Sequence, residues 1–225
     1  MNPTAAASAI RSIDNLRGSA GQLEALLNAG SPDAAFAALV CHPHPLGGGT
    51  MHNKVVYHAM KALSSFGMPV LRFNFRGTGL SEGRHDDGRG EIDDVRAALD
   101  WLAHEYHLPV FFAGFSFGAN VGLRACCGDG RVKGLVALGI PVHAEGRDYR
   151  YEFLADCPGP KLFVSGTLDR YGPVADVEAV VQSALPPAEL VWIAEADHFF
   201  VGKLDRMQAA LRAWVMAQIP SPRAK

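Results

Sequence analysis

Ser116 stands in Gly114-Phe115-Ser116-Phe117-Gly118, with the apolar run 108–113 before it and small residues opening a helix after it. A serine hydroxyl attacks carbonyls poorly unless it is exposed, held beside a base and aimed next to amide donors for the developing oxyanion. A strand that turns sharply into a helix meets those demands, because the turn presents the hydroxyl and the helix start presents free N–H groups and a positive dipole end. Gly114 and Gly118 leave room where a Cβ would clash. A base and its orienting acid should then follow later strands. The candidates are His198, in Glu195-Ala196-Asp197-His198-Phe199-Phe200, and Asp169, in Gly166-Thr167-Leu168-Asp169-Arg170. Taken singly, a loop aspartate is usually a cap and such a histidine a packed ring. Their joint position after two successive strands makes Ser116, His198 and Asp169 a candidate proton-passing unit. Asp197 is a rival acid, but adjacency to His198 gives it poor reach to the far side of the ring, and no strand leads into Asp156. One oxyanion donor should be the N–H of Phe117. The other should come from the loop after the strand ending at Val40. Pro43 and Pro45 carry no N–H, which leaves Leu46 and Gly47, with Leu46 preferred.

These side chains need a framework, and the hydrophobic pattern supplies one. Strand-length apolar runs occur at 35–40, 70–75, 108–113, 132–140, 161–166 and 189–193. Helical spacing predicts helices at about 54–66, 90–105, 117–127, 173–184 and 201–217. Gln22 to Leu27 reads as a short edge strand or a helical turn. Strand–helix alternation implies a parallel sheet with helices on both faces. No repeat or linker marks a second domain, so residues 1–225 read as one domain with mobile ends at 1–20 and 218–225.

Composition narrows the function classes. Hydrophobic residues are 48% and charged residues 20% of the chain, and the net charge is −2, so no basic footprint points to nucleic acid. No apolar run reaches the ~18 residues of a membrane span. The N-terminus lacks a basic region and an apolar stretch, so no signal peptide is expected. Cys41, Cys126, Cys127 and Cys157 show no metal spacing and read as free thiols in a reducing cytoplasm. His42-x-His44 could be a metal pair, but the intervening prolines and the lack of a nearby acid favour a loop-shaping role and no metal. Residues 77–83 miss the spacing of a dinucleotide fingerprint, and Gly47-Gly48-Gly49-Thr50 lacks the ending of a phosphate loop. Both read as tight turns. Arg76 is expected to pair with Asp93 or Asp94, and the charged stretch 82–94 reads as solvated.

As a set, His42-Pro43-His44-Pro45 with its glycines, Phe73-Asn74-Phe75-Arg76-Gly77-Thr78-Gly79-Leu80-Ser81, the Ser116 pentapeptide, Gly166-Thr167-Leu168-Asp169 and Asp197-His198-Phe199 resemble the α/β-hydrolases, specifically small bacterial members similar to dienelactone hydrolases. The resemblance implies a mostly parallel, roughly eight-stranded sheet, a serine hydrolase mechanism through an acyl-enzyme, and no metal or organic cofactor. Dienelactone hydrolases carry cysteine where this chain has Ser116, so the resemblance speaks to shape more than to substrate.

Many relatives insert a cap between the strands ending near Ile140 and starting at Lys161; here residues 141–160 are too few for one. Tyr149, Tyr151 and Phe153 are then expected to rim an open, shallow substrate site. The leading expectation is hydrolysis of small carboxylic esters or thioesters. Amide or C–C hydrolysis and acyl transfer use the same triad, and a non-catalytic binding protein could share the fold. A homodimer stays open.

Overall fold

The computed structural model describes residues 9–144 and 146–219. Ile10–Ile13 (β1), Arg17–Gly18 (β2), Gly21–Gln22 (β3) and Ala25–Asn28 (β4) open it. Ala37–Cys41 (β5), Lys54–Ser64 (α1), Val70–Phe73 (β6) and Gly90–Tyr106 (α2) follow. Val110–Phe115 (β7), Phe117–Cys126 (α3) and Val132–Leu138 (β8) form the middle. His143–Ala144 (β9), Arg147–Asp148 (β10), Lys161–Gly166 (β11), Val174–Ser183 (α4), Ala188–Ile193 (β12) and Leu204–Gln218 (α5) complete it.

The main sheet has eight strands in the order β1-β4-β6-β5-β7-β8-β11-β12. The pairs β1/β4 and β4/β6 are antiparallel, and every pair from β6 to β12 is parallel. Every residue of β5 and β7 is buried, which explains their unbroken apolar runs: a parallel strand covered on both faces has no solvent side to mark with polar residues. One face carries α1 and α5, where Val56, Ala59 and Leu63 share a core with Leu211, Trp214 and Val215. The other carries α2, α3 and α4, where Leu99, Leu102, Leu123 and Val177 meet the sheet. Asn53 starts α1 by accepting the Val55 N–H on Oδ1 at 2.9 Å, a cap that satisfies one orphan donor of the first turn. Among the described residues, only the β9–β10 hairpin and the short 3-10 segment Glu152–Asp156 stand between β8 and β11, so there is no large cap domain. Among the described residues no helix is long and apolar enough to cross a membrane.

Four expectations need correction. The weakly patterned start is structured from Ile10 onward: β1 pairs β4, and the ambiguous stretch 22–27 holds the end of β3 and most of β4, which lies between β1 and β6 and not at the sheet edge. Of the ends expected to be mobile, residues 1–8 and 220–225 lie outside the described residues, and Gln218 closes α5. The charged stretch 82–94 is not simply solvated. Glu91 and Asp94 are fully buried; Glu91 accepts the N–H groups of Asp86 and Gly88, and Asp94 binds Arg76 through Nε and Nη2 and through its main-chain N–H. Finally, the cysteines are not all free. Cys126 faces the core, while Cys127, at the end of α3, turns away and forms a disulfide with Cys157, their Cα atoms 5.3 Å apart. Disulfides persist in oxidising surroundings, so cysteine usage gives no support to a reducing compartment.

Candidate active site

The turn from β7 into α3 places Ser116. Its backbone sits at φ 55, ψ −122, a strained conformation for a side-chain-bearing residue. The turn closes only because two glycines flank it: a Cβ on Gly114 would strike the Gly118 carbonyl and Ala119, and one on Gly118 would strike the His42 and Cys41 main chain. α3 can thus start directly beneath the serine, against the end of β5.

Asp169 follows β11 and His198 follows β12, neighbouring strands at one edge of the sheet. The structure brings both to Ser116. His198 Nε2 lies 2.9 Å from Ser116 Oγ, and His198 Nδ1 lies 2.7 Å from Asp169 Oδ2. The other carboxylate oxygen of Asp169 accepts the N–H groups of Tyr171 (2.8 Å) and Gly172 (3.3 Å). These bonds fix the carboxylate, which directs Nδ1–H toward the acid and leaves Nε2 as the acceptor facing the hydroxyl. The three side chains are buried, with the imidazole packed among the rings of Phe115, Tyr171 and Phe199. Asp197, the rival acid, instead accepts the N–H groups of Phe199 and Val201 and serves as a local cap.

The glycine-rich loop after β5 forms a 3-10 turn, Pro45–Gly47, that closes on its own histidine. The Leu46 N–H donates to His44 Nδ1 (3.2 Å), and those of Gly47 and Gly49 donate to the His44 carbonyl (3.1 and 3.0 Å). Both amides expected as the second oxyanion donor are therefore engaged, and Leu46 projects into solvent. Among the described residues, the N–H groups of His44 and Phe117 have no acceptor.

His42 is fully committed to the main chain. It accepts the Phe75 N–H on Nε2 (3.0 Å), so Nδ1 carries the proton and donates to the Pro43 carbonyl (2.6 Å). Burial pushes its pKa down to about 4. His44 is also lowered to about 4, first by burial and then by the charges of Arg147 and His85. The residues after β6 brace this loop. Asn74 Oδ1 accepts the Met51 N–H, Asn74 Nδ2 donates to Glu24, and Ser81 Oγ donates to the Asn74 carbonyl. Residues 73–81 therefore act as a strut and not as a nucleotide loop.

A cavity of about 130 Å³ opens over Ser116, lined by Pro43, His44, Gly47, Tyr149, Tyr171 and Phe199 among others. Of the three residues expected at the rim, Tyr149 lines it. Tyr151 does not: it is buried, and its hydroxyl donates to the Pro141 carbonyl at 2.9 Å. Phe153 packs against the core, its ring beside that of Tyr151. Alternation explains the difference only in part, because the 3-10 segment starting at Glu152 draws Tyr151 and Phe153 inward together. Tyr171 and Arg147 were not predicted. Tyr171 follows Asp169 by two positions and donates to it, a spacing that could have signalled a wall residue.

The Alpha/beta hydrolase domain family matches residues 37–217. An uncharacterised protein of Rickettsia prowazekii, RP471, is 38% identical over 193 residues, covering 83% of this chain and 80% of that protein. Among solved structures, an alpha-beta serine hydrolase homologue from Coxiella burnetii is 36% identical with a TM-score of 0.83, covering 93% of this chain and 98% of that one. XC6422 from Xanthomonas campestris, described as an a/b serine hydrolase without lid, is 34% identical with a TM-score of 0.82 over 99% of both chains. With the strained serine turn, the eight-stranded sheet and the matched span in agreement, the chain belongs to the α/β-hydrolase family of enzymes.

Proposed function

We propose that this enzyme is a serine hydrolase that cleaves small carboxylic esters or thioesters through an acyl-enzyme. The observation carrying this reading is the continuous hydrogen-bonded line from Asp169 through His198 to a serine held at positive φ. His198 Nε2 takes the proton as Ser116 Oγ attacks the acyl carbon, and Asp169 stabilises the imidazolium. The negative charge on the carbonyl oxygen meets the N–H of Phe117, at the start of α3, and that of His44. As the tetrahedral intermediate collapses, His198 returns the proton to the departing oxygen or sulfur. Water then repeats the sequence on the acyl-serine, releasing acid and regenerating the hydroxyl. The small cavity and the absence of a large cap favour short acyl groups, with the remainder of the substrate in solvent.

A fluorophosphonate probe should label the protein at Ser116 and fail to label Ser116→Ala. In a nitrophenyl ester series, kcat/KM should be highest for acetyl to butyryl chains and fall beyond them. A protein that neither takes the label nor hydrolyses any member defeats the proposal; a steep rise toward long chains defeats the short-acyl part.

A further inference from the structure

Among the described residues, the cavity over Ser116 is lined by one permanently charged side chain and by no carboxylate. Its other walls are proline, glycine, alanine, asparagine, aromatic and histidine residues. The charged group is Arg147, on the exposed β9–β10 hairpin. Among the described residues no carboxylate lies within ion-pair distance of it, although its neighbours on the hairpin are paired. Asp148 binds Arg150 Nε at 2.7 Å, and His143 Nε2 lies 3.0 Å from Asp176.

A second recess, of about 320 Å³, adjoins the first, and His44, Arg147 and Tyr149 border both. Asn120 and Arg124 of α3 also line it, and no carboxylate pairs with Arg124 among the described residues. Asp87, also on this recess, lies 3.5 Å from His85 Nε2. The charge of Arg147 reaches both shared walls: it adds to burial in lowering His44, and it opposes the burial that raises the Tyr149 phenol.

A guanidinium presents a planar fork of donors that matches a carboxylate bidentately, and the match strengthens where aromatic walls exclude water. A single fork among neutral groups suits a monoanion better than a phosphate dianion. We infer that Arg147 selects substrates bearing a free carboxylate a few bonds from the scissile carbonyl, making the preferred substrate a half-ester or half-thioester of a short dicarboxylic acid, or an ester of a carboxylate-bearing alcohol. This rests on the hydrolase reading above and names its substrate class.

Two ester pairs test it. The p-nitrophenyl half-ester of glutarate is compared with its methyl-capped neutral partner, and 4-acetoxybenzoate with methyl 4-acetoxybenzoate, in the wild-type enzyme, Arg147→Met and Arg147→Glu. The readout is the ratio of kcat/KM for the anionic ester over its neutral partner, which cancels any loss common to both. In at least one pair the wild-type ratio should be tenfold or more, and that pair identifies whether the carboxylate belongs to the acyl or the alcohol side. The ratio should fall at least tenfold in Arg147→Met and drop below one in Arg147→Glu. Wild-type ratios near one in both pairs, or a high ratio that survives both substitutions, overturn the assignment of Arg147 while leaving the hydrolase reading intact. No turnover of any of the four esters, together with no fluorophosphonate label at Ser116, overturns the hydrolase reading and this inference with it.

Discussion

The main-chain N–H of Phe75 donates to Nε2 of His42 at 3.0 Å, joining the end of β6 to the loop that leads over Ser116. The bond requires an unprotonated Nε2, and the same ring donates from Nδ1 to Pro43. His42 is therefore a neutral tie between two loops.

This tie predicts how stability depends on pH. His42 and His44 titrate near 4 in the folded protein against an ordinary 6.5. Between those values the unfolded chain binds protons that the folded chain does not, so stability is full above about pH 6.5 and falls as the pH drops toward 4. Urea unfolding at a series of pH values should show that slope, and it should be shallower in His42→Asn. A wild-type stability that stays flat from pH 6.5 to 4 contradicts the neutral-tie account.

The role given to the His44 N–H can be isolated by substitution. His44 has φ −54, close to the value a proline ring imposes, so His44→Pro removes the donor with little backbone change. Against His44→Ala, which loses the same ring but keeps the amide, kcat should fall by a further factor of about 10²–10³, the usual loss for one oxyanion donor. Equal kcat values in the two variants would assign the second donor elsewhere.

The Arg76–Asp94 pair is buried, with three guanidinium contacts at 2.7–3.1 Å. Removing one partner leaves an uncompensated charge inside the protein. Asp94→Ala should lower the unfolding free energy by about 3–5 kcal/mol, and the double replacement by Arg76→Leu and Asp94→Leu should recover most of it. A single-variant loss under about 1 kcal/mol would mean that water reaches the pair.

The elements of the parallel sheet were legible because burial on both faces writes itself as unbroken apolar runs, and the serine turn because its glycines answer a local steric demand. His198 and Asp169 were placed by their positions after successive strands. What escaped was set by nonlocal partners. Leu46 and Gly47 offered the right amides, but the 3-10 turn folds them onto His44. Glu91 and Asp94 looked solvated because the sequence does not show that the loop after β6 folds over them. β1 has no pattern of its own; it is held by β4. Cys127 and Cys157 are 30 positions apart, and only the tertiary packing, with the segment 152–156 against α4, brings them together.

Ser116 and His198 lie 82 positions apart, and the imidazole follows β12, the outermost strand at its end of the sheet. In the proposed mechanism the hydroxyl gains its proton acceptor only when that last strand has docked, so a chain folded through β11 alone should stay chemically silent. Turnover would then serve as a readout of completed assembly, and refolding followed by ester cleavage should lag behind the recovery of helical signal.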